Sequence, residues 1–132
     1  MPLNHARKRI GRPPPPGSPP CVAFVCRCFF DSRAPLSVPP ASILTVPSFF
    51  RAIQLRYDVW FNISTCSAWV PRPGDLVFFA ENLDGQVDHV AFVERIDLTH
   101  SLLWVIAARG EAPDREGYRL SDDRIIAFAR VL

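Results

Sequence analysis

The sequence lacks the cysteine and histidine patterns by which short chains usually hold a metal or cross-link themselves. It has four cysteines, and three of them, Cys21, Cys26 and Cys28, lie within one stretch of eight residues. No CxxC pair and no group of histidines accompanies them, which argues against a zinc site. A disulfide framework spreads its cysteines along the chain, so the crowding argues against that as well. We therefore expect no metal, and we interpret Cys26 and Cys28 as small apolar core side chains.

The chain also lacks an apolar run long enough to cross a membrane. Its longest run, residues 21–30, is interrupted by Arg27, whereas a spanning helix needs about 20 apolar residues. Residues 13–16 are all proline where a signal peptide would need its apolar region, so no export signal is visible and the localisation stays open. The length predicts one domain, which we expect to act as a monomer.

Acidic residues are absent from the first 30 positions, which carry five basic residues. From Asp31 onward 13 acidic residues outnumber 10 basic ones, so the main part of the chain offers no basic face for nucleic acid. Residues 1–20 combine this basic charge with seven prolines, a composition that predicts a flexible leader. The folded domain is expected to span residues 21–132.

The spacing of apolar residues predicts helices first and strands afterwards. Apolar side chains recur at three- and four-residue intervals after Pro20 and predict a helix there. The other predicted elements are a second helix within residues 41–62 and strands at 75–80, 89–97, 102–108 and 124–132. A hairpin turn is expected around Asp84–Gly85. The predicted fold class is α+β, with N-terminal helices packed on a small antiparallel β-sheet.

Two residues stand out for chemistry. Cys21 opens the predicted helix, where unpaired N–H groups and the helix dipole favour a thiolate and could stabilise an oxyanion. His89 begins a predicted strand, so its ring could face a cleft and accept the thiol proton. His5 lies in the leader and His100 in a turn, which makes both weaker candidates. Each residue alone is more often structural than catalytic, so the interpretation depends on the text around them.

That text resembles the CHAP domain of cysteine, histidine-dependent amidases and peptidases, which is related to NlpC/P60. The segments that carry the resemblance are, in order, CVAFVCRCF, PRPGDLVFF, VDHVAFVERID and GYRLSDDRIIAFARV. They resemble the nucleophile helix, the Pro-Gly-Asp strand, the strand of the catalytic histidine and the closing segment. The resemblance implies a papain-like fold and hydrolysis of an amide bond in peptidoglycan or a peptide, without a cofactor. It also implies that Cys21 is the nucleophile and His89 the general base.

The sequence departs from the family pattern at the positions that support the pair. Pro20 stands where a tryptophan usually precedes the nucleophile, and Ala107 stands where a polar residue orients the histidine. Arg109, at the family's Asn position, cannot accept a hydrogen bond. Glu111 is a candidate replacement for the orienting residue, whose loss costs other triads about 10⁴-fold in rate. Trp69, in the loop before the Pro-Gly turn, is a candidate for the wall of the substrate cleft.

Three hypotheses therefore stay open. The first is an active peptidoglycan amidohydrolase or endopeptidase that uses Cys21 and His89. The second is a catalytically impaired or vestigial CHAP-like domain that acts as a binding module. The third is an unrelated α+β domain, in which Asp75, Asp84 and Asp88 only close turns and strand ends.

Overall fold

The computed structural model describes residues 1–12, 20–41, 44–62, 70–110 and 112–131. Within them the chain forms three helices and six strands, so the predicted α+β class is confirmed. The helices are α1 (Pro2–Lys8), α2 (Pro20–Asp31) and α3 (Val46–Arg56). The strands are β1 (Asp58–Phe61), β2 (Leu76–Phe79), β3 (His89–Asp97), β4 (Leu102–Ala107), β5 (Asp114–Arg119) and β6 (Ile125–Arg130).

The strands form a single antiparallel sheet in the order β1-β6-β2-β3-β4-β5. Successive side chains of a strand point to opposite faces, and β3 shows the alternation that its sequence predicts. Val90 and Phe92 belong to the core that the helices share with the sheet. Ala91 and Val93 belong to a second apolar cluster on the opposite face. Both faces of the central strand are therefore buried, and His89 lies at its first position.

Helix α2 packs against β3 and confirms the helix predicted after Pro20. The Phe24 and Phe29 rings lie 5.8 Å and 5.7 Å from the Phe92 ring of β3. Pro20 is the first helical residue, a position where the missing N–H costs no intrahelical bond. Cys28 is fully buried, as expected of a core side chain, while Cys26 is only partly covered.

Helix α1 corrects the prediction of a flexible leader. Residues 2–8 are helical, and α1 contacts both α2 and β3. Leu3 and Ala6 belong to the main core, because their spacing places both on the same face of the helix. Arg7 donates a hydrogen bond to the buried Glu94 of β3 at 3.0 Å. The sequence analysis predicted no helix here because residues 1–20 are rich in proline. Residues 13–19 of the predicted leader lie outside the described residues.

The second predicted helix is shorter than expected. Thr45 caps α3 by accepting a hydrogen bond from the Ser48 N–H at 3.2 Å. The helix ends at Arg56, and residues 58–61 form strand β1 instead. Val59 and Trp60 pair there with Ala129 and Phe128 of β6, a ladder partner that local periodicity does not reveal.

Strand β5 was not predicted, because its sequence DREGYR is mostly polar. It is the last strand of the sheet, and charged side chains are typical of such edge strands because they discourage further pairing. Glu116 and Tyr118 alternate with Arg115, Gly117 and Arg119 along it. This strand supplies two side chains near His89.

Candidate active site

Cys21 lies in the first turn of α2, and the residue is 5% exposed. Burial raises the pKa of this thiol, although hydrogen bonds from the backbone of Val90, Val22 and Cys21 itself act to lower it. The positive charge of Arg109 also acts to lower it. The expected helix-terminal donors are therefore present, but desolvation outweighs them.

The other described cysteines lack this set of backbone donors. Burial raises the pKa of Cys26 to about 11. Burial also raises the pKa of Cys28 to about 12, with the charge of Arg9 opposing it. Cys66 lies outside the described residues. Of the three described thiols, Cys21 is thus the one whose surroundings favour a thiolate most.

His89, the first residue of β3, is 5% exposed. Its Nε2 atom is buried and has no hydrogen-bond partner among the described residues. Burial lowers the pKa of His89 to about 4, and the charge of Arg109 acts in the same direction. The carboxylates of Glu81, Glu116 and Asp88 oppose this shift. His89 is therefore neutral near pH 7, with one nitrogen unpartnered.

The fold brings Cys21 and His89 to the same end of β3. Cys21 shares a core with Val90, the residue next to His89, and the backbone of Val90 acts to lower the pKa of the thiol. No hydrogen bond joins His89 Nε2 to the thiol within the described residues. The predicted pair thus lies at one end of β3 but on its two faces, because the His89 ring packs on Phe79 on the Ala91 face while Cys21 packs on the Val90 face, and the thiol–imidazole contact at Nε2 is not formed.

Ala107 stands at the position where the resemblance predicts an orienting residue, and its side chain cannot accept a hydrogen bond. Ala107 ends β4, is buried, and pairs with Asp114 of β5. Glu111, the candidate replacement, lies outside the described residues, as does Trp69, the candidate for the cleft wall. Asp88 accepts hydrogen bonds from the backbone of Glu81 and Asn82 at 2.9 Å and 3.4 Å, so its carboxylate closes the β2–β3 turn.

A polar group that the sequence did not predict surrounds Arg109, and we call Glu81, Arg109, Glu116 and Tyr118 the Arg109 cluster. The guanidinium donates to Glu116 at 2.6 Å and to the Tyr118 hydroxyl at 2.6 Å, and it also pairs with Glu81. Tyr118 in turn donates to Glu116 at 2.9 Å. Glu81 comes from the β2–β3 turn, Arg109 from the segment after β4, and Glu116 and Tyr118 from β5, so only the folded sheet assembles them.

Aromatic rings connect this cluster to His89. The Phe79 ring lies 5.6 Å from the His89 ring and 4.6 Å from the Tyr118 ring. Burial acts to raise the pKa of Glu116, but hydrogen bonds from Arg109 and Tyr118 lower it overall. The cluster is therefore charged near neutral pH and stands beside the candidate site. The alternation of Glu116 and Tyr118 along β5 is the sequence signal that could have predicted the Arg109 cluster.

The Asp75 of the Pro-Gly-Asp segment has a structural role. Its buried carboxylate accepts hydrogen bonds from the Arg72 backbone at 2.7 Å and from Arg130 at 2.9 Å. Within the described residues, no group of three or more His, Cys, Asp or Glu side chains is arranged to hold a metal ion. None of the described helices is both long and apolar enough to cross a membrane.

Comparison with known proteins gives a shared fold and no family. No protein-family model matches the chain, and no curated protein matches it. Two similar solved structures are the crystal structure of Ly7917 and that of Ly7917 with the hydrolyzing product of MDP. Their TM-scores are 0.64 and 0.65, with 17% and 16% sequence identity over 97% of this chain. The chain spans only 59% and 60% of those two chains.

Proposed function

We propose that this chain is a cysteine hydrolase domain of the CHAP type, with a papain-like arrangement, that cleaves an amide bond in peptidoglycan. The observation that carries the proposal is the position of Cys21. It lies at the N-terminus of α2 and packs in the same core as Val90, the residue next to His89. A nucleophile on a helix N-terminus beside a histidine is the arrangement that cysteine hydrolysis requires.

The proposed reaction has two steps. His89 takes the thiol proton at Nε2, and the Cys21 sulfur forms a bond to the carbonyl carbon of the amide. Backbone N–H groups near the sulfur stabilise the oxyanion, and the amine leaves with the proton from the imidazolium. Water then hydrolyses the thioester, which releases a carboxylate and restores the thiol.

The substrate class is supported by one of the similar structures. Ly7917 was crystallised with the hydrolyzing product of MDP, a ligand of the peptidoglycan type. At 16% identity the similarity to that structure concerns the fold, so the ligand is a guide to substrates for assay. The products released distinguish cleavage within the stem peptide from cleavage at its link to the glycan.

The test measures hydrolysis of purified peptidoglycan through the appearance of new amino groups. We expect the wild-type chain to release them, and Cys21→Ala and His89→Ala to reduce the release to background. Cys26→Ala is the matched control, because Cys26 lies on the same helix and in partial contact with solvent. Release that persists in Cys21→Ala would refute the proposed nucleophile.

A second candidate is a binding module that keeps the fold without turnover. Ala107 in place of an orienting residue and the low pKa of His89, about 4, favour it. A base with so low a pKa takes up a thiol proton poorly near neutral pH. This candidate predicts that the chain sediments with insoluble peptidoglycan, releases no amines, and binds equally well as Cys21→Ala.

A further inference from the structure

Helix α2 carries apolar side chains on its outer side as well as on the side that packs against the sheet. Phe24 and Phe29 belong to the stripe that faces the core. Ala23, Cys26 and Phe30 follow one another at intervals of three and four residues, so they form a second stripe along the helix. Phe30 is 64% exposed, although the outer side of a surface helix is usually polar. The core of the domain therefore does not account for this second stripe.

The second stripe of α2 borders a groove whose other wall is the segment 35–41. A second groove continues from the first, because Val38 and Pro39 line both. Leu55 of α3 lines the second groove and is 76% exposed. The two grooves thus form one apolar surface, which we call the α2–α3 surface, and its most exposed large side chains are Phe30 and Leu55.

The charge around the α2–α3 surface is basic. Residues 32–57 contain three arginines, Arg33, Arg51 and Arg56, and no acidic residue. Arg56 lines the second groove, and Arg51 lies one helical turn before Leu55 on the same side of α3. Within the described residues, none of the three arginines forms an ion pair. Their charges are therefore available to an anionic partner.

The acidic residue that ends α2 does not reverse this charge. Asp31 pairs with two arginines, with Arg27 at 3.2 Å and also with Arg9. One carboxylate thus faces two guanidinium groups, and the net charge there is positive. Arg27 lines the first groove, and its guanidinium lies 5.8 Å from the centre of the exposed Phe30 ring. A basic and a large apolar group therefore stand side by side in the first groove, as they do in the second.

Exposed apolar side chains surrounded by arginines complement an anionic lipid bilayer. At such a surface the apolar side chains enter the boundary between headgroups and acyl chains, and the arginines attract the anionic headgroups. An acidic peptide would match the charges as well, but a peptide groove encloses its anchoring contacts, whereas Phe30 and Leu55 are mostly exposed. The observations therefore favour a bilayer over a peptide.

We propose that the α2–α3 surface binds anionic lipid bilayers from one side, with Phe30 and Leu55 in the interface and the arginines on the headgroups. This inference goes beyond the proposed function and does not depend on hydrolysis. Helix α2 carries Cys21 in its first turn and Phe30 in its last. Binding thus places the bilayer at the end of α2 opposite to the candidate nucleophile.

The experiment measures sedimentation of the whole chain with lipid vesicles. One set of vesicles contains equal parts of phosphatidylglycerol and phosphatidylcholine, and the other contains phosphatidylcholine alone. We expect binding to the anionic vesicles to be stronger by about tenfold or more, because each arginine near the surface adds to the attraction. About 0.5 M sodium chloride should remove most of this difference, because salt screens the charges.

Variants separate the apolar contribution from the charge. Phe30→Gln should weaken binding to the anionic vesicles by about tenfold, and Arg56→Gln by about fivefold. Leu98→Gln is the control for the first variant, because Leu98 is 67% exposed but lies in the β3–β4 turn, outside both grooves. Arg119→Gln, on the exposed side of β5, is the control for the second. Both controls should bind as wild type does, and a thermal unfolding transition shows that each variant is folded.

The outcomes decide the inference without reference to hydrolysis. Equal sedimentation of the wild-type chain with both sets of vesicles would overturn it, and so would equal losses in Phe30→Gln and Leu98→Gln. Two other occupants are tested in parallel, a second copy of the chain by sedimentation velocity without lipid and an acidic partner by binding of an alternating glutamate–leucine peptide. A dimer or a peptide complex that Phe30→Gln disrupts, together with no vesicle binding, would assign the surface to that occupant. No peptidoglycan is present, so failure here leaves the proposed function standing, and the reverse holds too.

Discussion

At the scale of single residues, burial competes with local donors for the two candidate catalytic side chains. The Cys21 thiol has backbone donors at a helix N-terminus, yet its pKa is raised because desolvation is the larger effect. His89 is neutral because burial and Arg109 both disfavour its charged form. The two shifts favour the neutral thiol–imidazole pair at rest. A substrate that enters the site must therefore meet a nucleophile formed by proton transfer.

The His89 environment predicts a loss of stability on acidification. Its folded pKa of about 4 lies below the ordinary value of 6.5, so the unfolded chain binds the proton first as pH falls. The contribution of neutral His89 is complete above about pH 6.5 and is lost as pH falls toward 4, with about 2 kcal/mol gone by pH 5. Urea unfolding at pH 7 and at pH 5 measures it.

The control for this prediction is His89→Gln, which removes the titrating group and keeps a polar side chain. We expect the free energy of unfolding of this variant to change less between the two pH values than that of the wild type, by about 2 kcal/mol. Identical pH dependence in the two proteins would show that His89 titrates normally in the folded chain.

At the scale of elements, the edge strand β5 depends on its neighbour β4 for cover. Gly117 of β5 pairs directly with Trp104 of β4. A Cβ atom built on Gly117 would lie 3.0 Å from the Trp104 ring, closer than ordinary van der Waals contact. The Arg95 guanidinium lies 5.1 Å from the centre of the same ring. The Trp104 ring thus covers Gly117, and this cover compensates for the side chain that glycine lacks.

This packing predicts that Gly117→Ala is destabilising by roughly 1 kcal/mol, even though alanine favours an extended backbone more than glycine does. The reason is that the new methyl group must displace the Trp104 ring. Tryptophan fluorescence and urea unfolding measure the displacement and its cost.

A double-mutant cycle tests the cause of that cost. In a Trp104→Ala background the clash is gone, so Gly117→Ala should be neutral or stabilising. An equal cost in both backgrounds would place its origin in the strand backbone and not in the ring. The result also bears on the site, because β5 carries Glu116 and Tyr118.

At the scale of the whole molecule, one core joins the first residues of the chain to the sheet that ends it. Leu3 and Ala6 of α1 share this core with Phe92 of β3 and Ala129 of β6. Glu94 accepts hydrogen bonds from Arg7 of α1 at 3.0 Å and from Arg115 of β5 at 2.7 Å. Helix α1 is therefore an integral part of the domain that includes the candidate site.

We expect Leu3→Ala to lower the free energy of unfolding by roughly 2–4 kcal/mol, because it leaves a cavity at a 3% exposed position. Lys8→Ala is the matched control on the exposed side of the same helix and should change stability by less than about 0.5 kcal/mol. Urea unfolding with an unchanged slope measures both. If Leu3→Ala changed the free energy of unfolding as little as Lys8→Ala does, the prediction of a flexible leader would be restored.

Local pattern predicted those features that depend on neighbours in the chain. The period of apolar residues placed α2, and alternation placed β3 with the correct faces. The same patterns placed Cys21 at a helix start and His89 at a strand start, and the resemblance of the surrounding segments to the CHAP domain singled out the two residues. The period failed where a partner strand decides the structure, as for β1, which extends only because β6 lies beside it.

Tertiary structure alone decided the surroundings of the site, starting with the burial that sets the protonation of Cys21 and His89. Glu81, Arg109, Glu116 and Tyr118 are spread over 38 positions, and the antiparallel order of β2, β3, β4 and β5 brings them together. The chemical type of each candidate residue is thus a property of the sequence. Its charge state is a property of the fold, because desolvation and Coulomb interactions depend on distances between residues that the chain connects only indirectly.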